Sequence, residues 1–175
     1  GQQNQWPQLL PYVRELFESK KNIQTETALK ILFIWIPTFD DSDFSSFLPE
    51  LGENIVNSLS IESLDIQIAC FNLFKQMISR FTSPLESPFS DILERIFAVF
   101  KELMIQENDK LFEVSRIIED IATANNGSIE QSLFFSNLLE MALDEKISPE
   151  YYFQILSPLT IFTYRNNSDL YELKP

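Results

Sequence analysis

Residues 4–39 read NQWPQLLPYVRELFESKKNIQTETALKILFIWIPTF, and residues 43–81 read DFSSFLPELGENIVNSLSIESLDIQIACFNLFKQMISRF. Both follow one plan: an apolar segment containing Leu-Pro, a short polar break, and a second apolar segment. Leu10-Pro11 returns as Leu48-Pro49, 38 residues on, while Ala28, Leu29 and Leu32 return as Cys70, Phe71 and Phe74, 42 residues on. A third copy opens with FSDILERIFAVFKEL, 45 residues after FSSFLPELGENIVNSL, and LFEVSRIIEDIA supplies its second half. The period is therefore near forty residues, and the fourth copy is less regular.

Within these segments the apolar residues recur at helical spacing. Ile66, Ala69, Cys70, Leu73, Phe74, Met77 and Ile78 fall on the i, i+3, i+4, i+7 series that marks one face of an α-helix. Ile92, Leu93, Ile96, Phe97, Phe100, Leu103 and Met104 repeat it, with Glu94, Arg95, Lys101 and Glu102 on the other side. Between the two lies TSPLESP, where Pro84 and Pro88 disfavour helix in the residues before them. The same reasoning along the chain predicts eight helices, at 6–18, 25–37, 43–59, 64–81, 88–105, 109–124, 129–144 and 148–165. The period is helical throughout and glycine is limited to three residues, so strands are not expected.

The expected fold class is all-α: an α-α superhelix, or HEAT-repeat solenoid, of about four helical hairpins, with repeats at 6–37, 43–81, 88–124 and 129–165. One hairpin cannot enclose its own apolar face, so each stacks on its neighbours. Pro11 and Pro49 are expected within or near first turns, where proline costs least. Polar capping repeats are missing from this pattern, because Trp6 comes almost at once and the last helix carries Ile155, Leu156, Leu159, Ile161 and Phe162. Residues 1–175 are thus expected to be one array segment, internal to a longer solenoid.

Composition limits the function. Hydrophobic residues make up 45% of the chain, including 16 Phe, which is ample to build a core. Thirteen Lys and Arg against 26 Asp and Glu leave a net charge of -13. That sign opposes a nucleic-acid surface, where phosphates demand clustered bases, and favours basic protein partners or plain solubility. The most apolar run, Ile31 to Ile36, is far shorter than the ~20 residues a bilayer span requires, so no membrane role is expected. Cys70, the single cysteine, lies on an apolar stripe and reads as a small buried residue. The two Asn-x-Ser sequons, at Asn126 and Asn166, carry no weight alone. With no His, no glycine-rich phosphate loop and no paired cysteines, neither a cofactor nor a metal nor catalysis is expected.

In order as well as composition, the chain resembles the importin-β-like karyopherins, particularly the branch of importins four and five and their yeast relatives. NQWPQLLPYVRELFES followed by TETALKILFIWIPTF is similar to a segment near the amino-terminal end of those receptors. FEVSRIIEDIATANNGSIEQSLFFSNLLEMALDEKISPEYYFQILSPL resembles their next units. Thr25 and Gln67 stand where many HEAT repeats place an inward arginine, so the usual Asp-Arg ladder is not expected. The resemblance implies an amino-terminal-half segment of a nuclear transport receptor. Such a receptor binds basic cargo protein, the GTPase Ran and Phe-Gly nucleoporins, carries protein into the nucleus, and occupies cytoplasm, nucleus and nuclear pore.

Basic cargo would need carboxylates on the second helices. Glu113, Glu119 and Asp120 lie beside the stripe of Leu111, Val114, Ile118 and Ile121, although a solvated face with Arg116 partly neutralising Glu113 and Asp120 is the plainer reading. Asp40, Asp41 and Asp43 form a denser patch, in which Ser42 or Asp43 is expected to cap the next helix. Phe17, Phe44, Phe47, Phe89 and Phe97 are the aromatics nearest the seams that Phe-Gly repeats would use, with core packing the commoner role. The alternative function is a static HEAT scaffold of phosphatase or chromosome-complex type without Ran binding. A carboxylate-based hydrolase is a third reading.

Overall fold

The computed structural model describes residues 6–171, with side-chain placement for 8–164. The side chain of Trp6, the side chain of Asn166, and the residues beyond Tyr171 lie outside the described set. Eight α-helices occupy the described residues: α1 (Trp6–Glu18), α2 (Asn22–Trp35), α3 (Asp41–Leu59), α4 (Leu64–Met77), α5 (Phe89–Ile105), α6 (Leu111–Ala124), α7 (Gln131–Ala142) and α8 (Tyr152–Tyr171). No strand occurs among them, as the helical period requires. The chain divides between Met77 and Ile78 into two compact units.

In the first unit α1 pairs with α2 and α3 with α4, and the second helices, α2 and α4, stack on each other. Ile66, Cys70, Leu73, Phe74, Met77 and Ile78 of the predicted stripe are buried; Ala69 is half-buried. Ile68 and Phe71, which the stripe omitted, are buried too. The reason is the neighbourhood of α4, which is packed by both α2 and α3 and so loses its solvent face on two sides.

In the second unit α5 pairs with α6 and α7 with α8, while α6 stacks on α8 and α5 on α7. The whole predicted stripe of α5, from Ile92 to Met104, is buried. Phe134 of α7 knits this core together. Its ring meets Phe97 edge-on at 5.3 Å between centroids and stacks on Phe162 of α8 at 4.6 Å, 14° from parallel.

Helix ends differ from expectation for local reasons. α2 starts three residues early, because extended Lys21 offers its carbonyl to the N–H groups of Gln24 and Thr25. It ends at Trp35, where Pro37 gives way to a 3₁₀ turn and the Thr38 hydroxyl donates to the Trp35 carbonyl at 2.7 Å. A 3₁₀ turn, Ile78–Arg80, likewise ends the fourth helix early, and Pro149 begins the turn Pro149–Tyr151 before α8. Pro11 and Pro49 are not in first turns: both sit inside their helices, and so does Pro158 in α8. Each removes one i to i−4 hydrogen bond and leaves a carbonyl without its helical donor.

Candidate functional site

The acidic patch at the start of α3 is first a cap. Asp40 is extended, and its Oδ1 accepts from the N–H of Asp43 at 2.8 Å. Capping was expected, but the capping residue is Asp40 rather than Ser42 or Asp43. Asp41 and Asp43 fill the first turn, where carboxylates meet the positive end of the helix. Asp40 and Asp41 are exposed and Asp43 is half-buried, so three carboxylates gather at one helix start.

On α6 the three candidate carboxylates have different surroundings. Glu113 is exposed and takes the Nζ of Lys110 at 3.2 Å, so Lys110 rather than Arg116 is its partner. Glu119 is half-buried, and its Oε1 accepts from the Ser157 hydroxyl of α8 at 2.6 Å. Asp120 beside it is also half-buried. The second hydroxyl in this seam belongs to Ser115, which is 5% exposed and donates to the backbone carbonyl of Gln154 at 3.3 Å. Pro158 explains that bond: four residues after Gln154, it has no N–H to give, and Ser115 supplies the donor that the helix lacks.

First helices are joined by charge instead. Arg14 of α1 donates from Nε and Nη2 to the two carboxylate oxygens of Glu50 of α3, at 2.7 Å each. This fork raises the Arg14 pKa, chiefly through the hydrogen bond to Glu50. Lys101 of α5 reaches Asp144 at 3.0 Å and Glu140 of α7 at 3.3 Å, and its pKa is raised mainly by the bond to Asp144. Asp144 is held below the ordinary carboxylate range, first by the Lys146 backbone N–H and then by Lys101. These links span 36, 43 and 39 residues, and those between α6 and α8 span 38 and 39.

Four of the five candidate aromatics are core residues. Phe44, Phe47, Phe89 and Phe97 are 2–7% exposed. Phe47 packs edge-on to Phe39 and Phe89 lies 5.0 Å from Phe81. Phe17 alone is half-buried, and with Ile61 it gives apolar lining to a groove of about 570 Å³ that also holds Asn22, Asn54 and Asn57. Sequence reasoning passed over the aromatics that remain at the surface. Phe112 is 49% exposed, Phe135 40% and Phe153 73%. The signal was available for Phe112, which falls off the stripe of Leu111, Val114, Ile118 and Ile121. Among the described residues no cluster of His, Cys, Asp or Glu has metal-site geometry, and no helix is long and apolar enough to cross a membrane.

The protein family described as IPO5-like, TPR repeats matches residues 1–141, a stretch that stops within the last turn of α7. The chain belongs to this family. No curated protein and no solved structure matches it. TPR units repeat at about 34 residues and HEAT units at about 40–47. The polar links described above span 36 to 43 residues, the last from Lys101 to Asp144, and so overlap the HEAT interval rather than selecting one class. Ser157–Glu119 and Ser115–Gln154 are the polar links of the α6–α8 seam.

Proposed function

We propose that this IPO5-like chain is part of a non-enzymatic nuclear transport receptor of the branch of importins four and five. It binds basic protein cargo, Ran in its GTP form and Phe-Gly nucleoporins, and moves between cytoplasm and nucleus through the pore to import protein. The observation that carries this reading is the family match over residues 1–141, supported by helices that pair in successive hairpins. The net charge of -13 supports a basic cargo. Asp40, Asp41 and Asp43 at the start of α3, with Glu113, Glu119 and Asp120 on α6, are the proposed cargo contacts. Several must act together, since one exposed ion pair contributes only about 0–1 kcal/mol. Of the proposed Phe-Gly contacts, Phe17 has an open groove beside it. Phe44, Phe47, Phe89 and Phe97 would have to yield core packing to take part.

The test is capture of the native protein from cell extract on immobilised GTP-locked Ran, with the GDP form as control and an antibody against this chain as the readout. Retention by the GTP form alone is the expected result. Equal or absent retention, while another transport receptor is captured by the same bait, would favour a static helical scaffold of the phosphatase or chromosome-complex type.

A further inference from the structure

Serine precedes proline at four places in the chain: Ser83-Pro84, Ser87-Pro88, Ser148-Pro149 and Ser157-Pro158. A short motif of this kind means little until its surroundings are known. Here the surroundings separate the four. The Ser157 hydroxyl is committed to Glu119 within helix α8. Ser148 is half-buried directly before the 3₁₀ turn that leads into α8. Ser87 donates to Asp91 Oδ2 at 2.6 Å. Ser83 is exposed, lies in the non-helical stretch between Arg80 and Phe89, and has neither a side-chain nor a backbone hydrogen bond among the described residues.

We propose that Ser83 is a phosphorylation site for a proline-directed serine/threonine kinase. Such enzymes take their substrate as an extended strand, and a residue before proline is already biased to extended backbone. The segment is held on both sides of the motif, by the Phe81 N–H donating to the Ile78 carbonyl at 3.3 Å and the Leu85 N–H to the Ser128 carbonyl at 3.0 Å, and residues 82–84 between these ties lie outside any helix, so they can enter a kinase cleft without breaking one. In the transfer the Ser83 Oγ attacks the γ-phosphorus of ATP, an O–P bond forms, the bond to the ADP oxygen breaks, and the hydroxyl proton passes to the kinase's carboxylate base. The product carries about −1.5 to −2 additional charge at pH 7. That charge stands at the rim of a cleft of about 480 Å³ lined by Pro84, Leu85, Leu93, Ile129 and Leu133. Ser83 and its surroundings all lie in the second unit, and the inference stands apart from the transport reading.

The experiment incubates the 175-residue chain with a purified proline-directed kinase and labelled ATP, then maps the phosphate by peptide mass spectrometry. Expected is a single modified residue, Ser83, with incorporation lost in Ser83→Ala and retained in Ser157→Ala and Ser87→Ala. Because Ser83 is exposed and unbonded, circular dichroism of Ser83→Ala should match that of the parent chain. Undiminished labelling of Ser83→Ala would overturn the proposal. So would an unlabelled folded chain, whether or not an isolated peptide spanning residues 78–92 is a substrate under the same conditions.

Discussion

α2 and α4 touch with Ala28, Leu29 and Leu32 buried on one helix and Cys70, Phe71 and Phe74 on the other, whereas α6 and α8 touch with two serine hydroxyls in the seam as well. The two pairs are equivalent, each joining the second helices of neighbouring hairpins inside one unit. What separates them is proline. Neither α2 nor α4 contains one, so every interior carbonyl has its own helical donor and apolar surface suffices between them. α8 contains Pro158, which strands the Gln154 carbonyl near the seam, and Ser115 answers it from α6. A repeat can thus absorb a helix-breaking residue when its neighbour offers a hydroxyl at the same height.

The largest effect that sharpens this contrast is in the apolar pair. Phe74→Ala should cost about 3–5 kcal/mol, because a wholly buried ring leaves a cavity that a packed helix pair cannot close. Urea unfolding measures it. In the α6–α8 pair, Ser157→Ala should cost about 1.5–3 kcal/mol by the same measurement, since the half-buried Glu119 loses a charge-assisted partner. If Ser157→Ala were silent, the hydroxyl would be ornament and the two seams would be held alike.

Cys70 provides a smaller effect on the apolar side. Its Sγ lies 3.9 Å from the Ile55 carbonyl, and burial pushes the thiol up from 9.0 to about 12. The folded chain therefore keeps a proton that the unfolded chain gives up. Stability from this group is complete below pH 9.0 and is lost as pH rises towards about 12. Unfolding at a series of alkaline pH values should show a steeper decline for the parent chain than for Cys70→Ala. Maleimide labelling at neutral pH should be negligible until denaturant is added.

The smallest effect concerns the half-buried ion pair between Lys101 of α5 and Asp144, just beyond α7. Asp144 should titrate below 3.8, and the contribution of its ionised form is present above that value and lost as pH falls through the lower, folded one. Lys101→Met should move the Asp144 midpoint, followed by NMR, only part of the way back. The larger cause, the Lys146 N–H at 3.0 Å, remains. A full return to the ordinary value would mean that the interhelical ion pair dominates.

Much of the fold was legible because period is a property of sequence. The stripe of α5 and the pairing of eight helices follow from spacing alone. The extra burial of Ile68 and Phe71 was not legible, since it depends on α4 having neighbours on two sides, which no single-helix pattern records. Asp40 was passed over as the cap because the run of Asp40, Asp41, Ser42 and Asp43 offers several residues of capping type, and only backbone geometry selects one. Glu113, Glu119 and Asp120 read alike in sequence as residues beside a stripe, yet Glu119 is tied to α8 by a serine 38 residues away. For Phe44, Phe47, Phe89 and Phe97 helical spacing already favoured core packing, and burial places them there.

The role given to Pro158 is tested most directly by a double-mutant cycle with Ser115. Ser115→Ala is measured by urea unfolding in the parent chain and again in Pro158→Ala, where the new residue restores an N–H for the Gln154 carbonyl. The predicted result is a cost of about 1 kcal/mol beside proline that shrinks to nearly nothing beside alanine. An equal cost in both backgrounds would mean that Ser115 serves packing alone and that the contrast between the two seams has another origin.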